Sequence, residues 1–153
     1  MKFLKIISAI LFFSFVGSIH SELKAQQPKR KDYRTSTSTG TLKKGAELKL
    51  GESLYSPNNT AVLRLENDGD LVIYMMSGPK KIWQSTTGGR GVAKLIFDSK
   101  GTLKLIDDAG GTVKGFGGEN NPTAQTLQLT DLGDLFINAT DGTTIWSLFR
   151  QRD

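Results

Sequence analysis

Residues 63–74 read LRLENDGDLVIY, and the pattern of this segment recurs twice at a spacing of 32 residues, which indicates the fold. The second copy, residues 95–106, reads LIFDSKGTLKLI, and the third copy, residues 127–138, reads LQLTDLGDLFIN. In each copy two apolar residues spaced by two precede a glycine, and two more follow it. Residues spaced by two lie on one face of a strand, so each copy predicts a β-hairpin with one buried face. The aligned apolar columns are Leu63, Leu95 and Leu127; Leu65, Phe97 and Leu129; Leu71, Leu103 and Leu135; and Ile73, Leu105 and Ile137.

A further apolar element follows each hairpin, and in two copies it contains a tryptophan after an isoleucine. One hairpin cannot bury its apolar face alone, but three around a common axis enclose one core. The repeat therefore predicts an all-β fold of three antiparallel sheets, arranged as a prism with pseudo-threefold symmetry. We expect both tryptophans to be core residues, because they occupy matching repeat positions; the alternative is that they are stacking platforms for a sugar. The elements contain Ile82 and Trp83, Val113 and Lys114 with Phe116 nearby, and Ile145 and Trp146.

The composition excludes several classes of function. The chain has 153 residues, which is room for one ordinary domain, a net charge of +5, no Cys, and His20 as its one histidine. A chain without Cys, whose one His lies in a segment predicted to be removed, cannot form a Ser-His or Cys-His nucleophile or a usual zinc site. The acidic run that begins at Glu66 does not fit a calcium loop, which requires glycine at its sixth position and an acid at its twelfth. We therefore predict no catalytic residues, no metal site and no cofactor.

The first 25 residues have the layout of a secretory signal peptide. Two lysines precede an apolar run, residues 6–16 (IISAILFFSFV), and small residues follow. The run is shorter than the roughly 20 apolar residues of a membrane span, although a retained N-terminal anchor is the alternative. Ser21 and Ala25 are the two candidate cleavage positions, of which we favour Ala25, and we predict a secreted or extracytoplasmic protein with no membrane association after cleavage. Residues 26–39 are predicted to be a basic and Ser/Thr-rich linker rather than a nucleic-acid patch, and residues 40–150 to form the domain.

Residues 45–88 resemble the bulb-type mannose-binding lectins, a family with the β-prism II fold. The resemblance is carried by GESLYSPN (51–58), DGDLVIY (68–74) and IWQST (82–86), and it extends with fainter counterparts over residues 40–150. Plant members of the family usually carry a disulfide, and in lacking Cys this chain is similar to the bacterial members. The resemblance implies a secreted, non-catalytic lectin whose partners are mannose-type glycans, and it leaves a homo-oligomer open.

In this family each copy may hold a sugar site with the pattern Gln-x-Asp-x-Asn-x-Val-x-Tyr. The resemblance implies that the polar side chains hydrogen-bond the hydroxyls of mannose, that the valine packs on the carbon face of the sugar, and that the tyrosine hydroxyl reaches a further hydroxyl. Because the positions are spaced by two, we expect the side chains to line one exposed strand face. The carbohydrate-binding residues implied in the first copy are Glu66, Asp68, Asp70, Val72 and Tyr74.

Two of these positions depart from the pattern, since Glu66 stands in place of glutamine and Asp70 in place of asparagine. An amide both donates and accepts hydrogen bonds, whereas an ionised carboxylate only accepts them. Three carboxylates on one strand face also repel one another. We therefore expect weaker or altered sugar binding, and the alternative is a solvated acidic face left over from a decayed site.

The other two copies fit the pattern less well. In the second, Lys104 takes the place of the valine and Ile106 that of the tyrosine, and in the third Leu132 takes the place of the central aspartate. We expect these copies to close the prism without binding sugar. The aligned residues are Asp98, Lys100, Thr102, Lys104 and Ile106 in the second copy, and Thr130, Leu132, Asp134, Phe136 and Asn138 in the third.

The sequence leaves two functions in competition. The first is carbohydrate binding, of mannose or a mannose-containing glycan, mainly through the first repeat. The second is a β-prism scaffold that has lost sugar binding and acts as a protein-protein interaction, adhesion or toxin-like module. A glycosidase that uses Glu66 is disfavoured, because an exposed strand face offers no enclosed cleft in which to raise the pKa of a catalytic acid.

Overall fold

The structure, a computed structural model, describes residues 40–118 and 120–150. The predicted signal peptide and linker lie outside the described residues. Within those two ranges the chain forms twelve β-strands and no helix, so no helix there is long and apolar enough to cross a membrane. The strands are β1 (Thr41–Lys43), β2 (Glu47–Lys49), β3 (Ser53–Tyr55), β4 (Ala61–Leu65), β5 (Leu71–Met75), β6 (Lys80–Gln84), β7 (Val92–Phe97), β8 (Leu103–Asp107), β9 (Thr112–Gly117), β10 (Ala124–Leu129), β11 (Leu135–Ala139) and β12 (Thr144–Ser147).

The strands form three antiparallel sheets of four strands each, which confirms the predicted architecture. The first sheet has the order β3-β4-β5-β6, the second β2-β7-β8-β9, and the third β1-β10-β11-β12. Each repeat thus supplies three consecutive strands to one sheet, as meanders joined by short turns.

The three hairpin turns are the same structure in each copy. In the first, the Glu66 N–H donates to the Asp70 carbonyl at 2.8 Å, and the Gly69 N–H donates to the Glu66 carbonyl at 3.0 Å. Gly69 has φ of +89°, and the glycines 32 and 64 residues later have +79° and +80°. An L-residue with a Cβ rarely adopts that region, which explains why the repeat aligns on glycine.

The core consists of the apolar columns that define the repeat. All twelve residues of the four aligned columns are 0–1% exposed. They alternate along the strands with outward-facing residues, as the period of two requires. The sheets therefore meet through one common apolar core, which also includes Leu42, Leu48 and Leu54.

Those three leucines belong to short strands that the sequence analysis did not assign. Residues 41–55 form β1, β2 and β3 in succession, and each of these strands pairs with a different sheet. Leu42 lies opposite Leu127, Leu48 opposite Leu95, and Leu54 opposite Leu63. The segment therefore adds one edge strand to each side of the prism. The signal that could have predicted it is the spacing of six residues between the leucines, with Gly45 and Gly51 between them at the same spacing.

The two tryptophans differ in burial, although both pack on the core. Trp146 is 6% exposed, whereas Trp83 is half-buried, so the expectation of a core position holds fully for Trp146 and partly for Trp83. The second sheet contacts both. Its Phe116 meets the Trp83 ring edge-on at 5.8 Å, and Trp146 lies against Gly117, leaving no room for a Cβ there. Lys114 takes the register position of a tryptophan in this sheet, opposite Leu105.

Candidate functional site

The five residues of the implied sugar site do not share one strand face, and that expectation is corrected here. Glu66 follows β4, and Asp68 and Asp70 lie in the hairpin turn, so only Val72 and Tyr74 lie on a strand, β5. The physical reason is the left-handed backbone at Gly69, which reverses the chain in the middle of the pattern. The three carboxylates are therefore spread around a turn rather than stepped along a strand.

Glu66 and Tyr74 come together at the outer face of the first sheet. The Tyr74 hydroxyl donates a hydrogen bond of 2.6 Å to Oε1 of Glu66. This bond to an anionic acceptor, together with partial burial of the phenol, raises the pKa of Tyr74 to about 12. Tyr74 thus keeps its proton at any physiological pH. The pair presents a carboxylate as an acceptor and fixes the orientation of the aromatic ring.

Asp70 is buried and belongs to an internal polar cluster. Its side chain is 7% exposed, and its Oδ1 accepts hydrogen bonds from the Ser85 hydroxyl at 2.7 Å and the Thr87 N–H at 3.0 Å. Thr86, between these two donors, has φ of 58°, a conformation rare for a β-branched residue. Thr87 also donates from its hydroxyl to the Gly69 carbonyl at 2.8 Å. The carboxylate therefore joins the hairpin turn to the segment after β6.

Val72 is also buried, with no exposed surface, whereas Asp68 is exposed. Oδ1 of Asp68 accepts the Asp70 N–H at 2.9 Å, and the Asp68 carbonyl accepts the Gly89 N–H at 2.8 Å. Val72 therefore packs within the protein and is not open to a ligand. Asp68 stabilises the turn through its hydrogen bonds, while part of its carboxylate stays exposed to solvent.

A pocket of about 250 Å³ lies beside the Glu66–Tyr74 pair. Its other walls come from the outer faces of β3 and β4 and from the turn after β5, none of which the sequence analysis assigned to a site. These residues alternate with core leucines, and that alternation was the available signal for an outward-facing surface. The lining residues are Ser53, Tyr55, Val62, Arg64, Glu66, Tyr74, Met76 and Pro79.

In the other two copies, contacts within the chain occupy the corresponding positions. In the second copy Lys104 forms an ion pair of 3.0 Å with Asp98, the residue aligned with Glu66. In the third copy the Arg150 guanidinium lies 5.8 Å from the centre of the Phe136 ring. Asn138, aligned with Tyr74, donates from its side-chain amide to Gln128 Oε1 at 3.0 Å. Each contact engages at least one side chain at a position of the family pattern.

No group of three or more His, Cys, Asp or Glu residues that could hold a metal ion occurs within residues 40–118 and 120–150. The acidic residues of the first hairpin turn are instead engaged by backbone N–H groups and hydroxyls of the chain itself. The chemistry that this site offers is therefore hydrogen bonding by carboxylate, guanidinium and hydroxyl groups beside an apolar wall.

Comparison with solved structures identifies the architecture. A lectin of Marasmius oreades matches with a TM-score of 0.66 and 17% identity, over 74% of this chain and 93% of that lectin. A monomeric monocot mannose-binding lectin from Gastrodia elata matches with a TM-score of 0.63 and 20% identity, over 72% and 97%. Tarin lectin, solved with trimannose bound, matches with a TM-score of 0.53 and 29% identity, over 70% and 92%. The chain has the β-prism II lectin fold.

No protein-family model matches the sequence, and no curated protein matches it. The β-prism II lectin fold is thus established through the structure, which retains the three sheets at identities between 17% and 29%. Within this β-prism, the pocket lies on the outer face of the first sheet, on the side opposite the common core.

Proposed function

We propose that this protein binds carbohydrate without catalysis, and that its ligand is mannose or a mannose-containing glycan held at the first sheet. The observation that carries the proposal is the pocket bounded by the Glu66–Tyr74 pair on a lectin-type prism. Structures with this fold include a mannose-binding lectin and a lectin solved with trimannose bound, which supports the choice of sugar.

The roles of the five motif residues divide according to their exposure. Glu66 and Tyr74, which line the pocket, and Asp68, which is exposed in the adjoining hairpin turn, are the proposed contacts with the hydroxyl groups of the sugar. Asp70 and Val72 remain in the proposed site as residues that stabilise it without contacting the sugar. Asp70 is hydrogen-bonded inside the prism, and Val72 is fully buried. A single shallow site of this kind binds weakly, so we propose that avidity comes from several copies of the chain.

The test is calorimetric titration of methyl α-mannoside and of a trimannoside into the protein. We expect Asp68→Asn to weaken binding more than tenfold, because losing a hydrogen bond to a charged acceptor costs ~1.5–3 kcal/mol. The control is Asp98→Asn, which makes the same substitution in the hairpin turn of the second sheet, at the position aligned with Glu66, and should leave the affinity unaltered. Equal effects of both variants would contradict a site at the first sheet.

The second candidate is the prism scaffold that acts through protein contacts. The burial of Val72 and the internal bonds of Asp70 favour it, because these two side chains cannot meet a sugar in this arrangement. A glycan-array screen separates the candidates. Binding to mannose-type glycans supports the lectin, whereas a folded sample that binds no glycan on the array supports the scaffold.

We also propose that the protein is exported, on the basis of the charged, apolar and small-residue order of residues 1–25. The expected product is a mature chain that begins near Gln26. Intact-mass measurement of protein recovered outside the cytoplasm tests this proposal, and a mass that still includes Met1 would contradict cleavage.

A further inference from the structure

The pocket on the first sheet is polar at one end and apolar at the other. Strand register places Ser53 opposite Arg64, in the cross-strand row nearer the hairpin turn that carries Glu66. The next row, one step of about 6.5–7 Å further along the strands, has Tyr55 opposite Val62 and Val62 opposite Tyr74. Met76 and Pro79 close the pocket beyond that row.

The polar end matches the hydroxyl groups of one sugar ring. A carboxylate, a guanidinium and a serine hydroxyl line it. The Glu66 carboxylate holds the Tyr74 hydroxyl through Oε1, and the charge of Arg64 acts on the same phenol. These groups supply both acceptors and donors, which is what a hydroxyl-bearing ring requires.

A sugar without a substituent has no apolar group that would occupy the apolar end of the pocket. Met76 is 45% exposed, and it is one of three large apolar residues that are exposed in the part of the chain that the structure describes. Its backbone is held in the turn after β5, because the Met76 N–H donates to the Thr60 carbonyl at 2.8 Å and the Gly78 N–H donates to the Met76 carbonyl at 3.0 Å. An apolar wall adjoining a polar recess fits a ligand with an apolar group next to its sugar.

We infer that the site takes a mannoside with an apolar aglycone, such as an aryl or alkyl group, in preference to the free sugar. The inference rests on the proposed function and adds to it the chemical class of the group linked to the sugar. The sugar ring occupies the end with Ser53, Arg64 and Glu66. The aglycone lies along Val62, Met76 and Pro79, where its transfer from water is favourable.

The experiment compares phenyl α-mannoside with methyl α-mannoside by titration into the full chain. We expect the phenyl glycoside to bind about tenfold more tightly, from the apolar area that a phenyl ring buries. Met76→Ser should reduce that ratio to about threefold, and Met76→Leu should restore it.

The control is Leu50→Ser, which removes an apolar side chain of similar exposure, 40%, in the turn after β2. It should leave the ratio unchanged. Equal affinities for the two glycosides, or a ratio that Met76→Ser does not alter, would overturn the inference while the proposed function stands. If neither glycoside binds a folded sample, the proposed function fails and the inference fails with it.

Discussion

Glu66 and Asp70 replace an amide each in the same sequence pattern, yet they lie in different environments. Glu66 reaches the surface and accepts a hydrogen bond from Tyr74. Asp70 accepts hydrogen bonds from Ser85 and Thr87 inside the prism, so its charge serves the fold. The consequence of a carboxylate at each position therefore depends on which donors the chain brings to it. An amide at position 66 would change the groups that are open to a ligand. An amide at position 70 would change the hydrogen bonds that join the hairpin turn to Ser85 and Thr87.

The raised pKa of Tyr74 gives a residue-scale prediction. Because its folded-state pKa is about 12, above the ordinary value, the neutral phenol is favoured in the folded protein. Its contribution to stability is complete below pH ~10, the pKa of an unperturbed tyrosine, and is lost as the pH rises through the folded-state value. Glu66→Gln removes the anionic acceptor and should return the pKa toward ~10.

Ultraviolet titration of tyrosinate formation measures this shift. Tyr55→Phe is the control, because it removes the neighbouring phenol and should leave the late-titrating group in place. A Tyr74 that titrates at its ordinary pKa in the wild-type protein would show that the bond to Glu66 does not persist in solution.

Strand β9 shows how one element connects the three sheets. It lies at the edge of the second sheet, and its two strand glycines differ in their surroundings. A Cβ added at Gly117 would lie 2.4 Å from the Trp146 ring of the third sheet, whereas one added at Gly115 would meet nothing within 4 Å. Phe116, between them, packs on Trp83 of the first sheet. The missing side chain at Gly117 thus makes room for a tryptophan from another sheet.

We predict that Gly117→Ala destabilises the protein by ~1–3 kcal/mol, because the indole must move to admit the methyl group. Gly115→Ala is the matched variant in the same strand, and its effect should stay within about 0.5 kcal/mol of zero. Chemical denaturation of both variants measures the difference. Equal stabilities would mean that Trp146 does not pack on β9.

Two turns from different sheets are joined by Asp131. Its carboxylate accepts the Asn58 N–H at 2.9 Å and the Asn58 side-chain amide at 2.8 Å, and it also accepts the Thr60 hydroxyl at 3.1 Å. The backbone N–H of Asn58 is the main reason that the pKa of Asp131 is lowered. The turn between β10 and β11 is thereby fixed to the turn between β3 and β4.

Asp131→Asn should lower the melting temperature at neutral pH, because an amide donor would then face the Asn58 donors. Since the folded-state pKa lies below the ordinary value of 3.8, this stabilisation is present above that pH. It is lost as the pH falls through the folded-state pKa, so wild type and variant should converge in strong acid.

Thermal melts across the acid range test this convergence. Asp141→Asn serves as the control. The carboxylate of Asp141 accepts hydrogen bonds from the N–H and the hydroxyl of Thr143, and these bonds stay within one turn. It should change the melting temperature less than Asp131→Asn does. A difference between wild type and Asp131→Asn that is independent of pH would contradict the role of the carboxylate charge.

At the scale of the whole molecule, residues 41–55 connect all three sheets. Three consecutive short strands pass from the third sheet to the second and then to the first, each with one buried leucine. The first sheet consists of four consecutive strands, whereas the second and third sheets each take their fourth strand from this segment, far from the rest of the sheet in sequence. We therefore expect the sheets to unfold together, as one cooperative unit.

Leu48→Ala tests this cooperativity, because it acts on the second sheet while the tryptophans lie in the other two. It should cost ~2–5 kcal/mol, the range for truncating a buried leucine. In the Trp83→Phe and Trp146→Phe backgrounds, Leu48→Ala should lower the stability reported by the remaining tryptophan by the same amount. Leu50→Ala, at an exposed neighbouring position, should change stability by less than about 0.5 kcal/mol. A loss of stability that only one of the two tryptophans reports would show that the sheets unfold independently.

The three hairpins and their buried columns could be predicted from the amino-acid sequence alone. The physical reason is local: side chains of a strand alternate between two faces, and a glycine with positive φ marks each reversal. Leu63, Gly69 and Ile73 obey these constraints, and so do the residues aligned with them in the other two copies. The repeat therefore predicted the core. The same rules did not reveal β1 to β3, because strands of three residues are too short to show a period of two.

Only the tertiary structure decided what each residue of the candidate site does. Asp70 is internal because Ser85 and Thr87, fifteen and seventeen residues later, supply its donors. The pocket exists because β3, which precedes the motif, pairs with β4 and brings Ser53 and Tyr55 to the same outer face as Glu66 and Tyr74. Burial and hydrogen-bond partners depend on strands that are distant in sequence but adjacent in the sheet, and a local pattern cannot encode them.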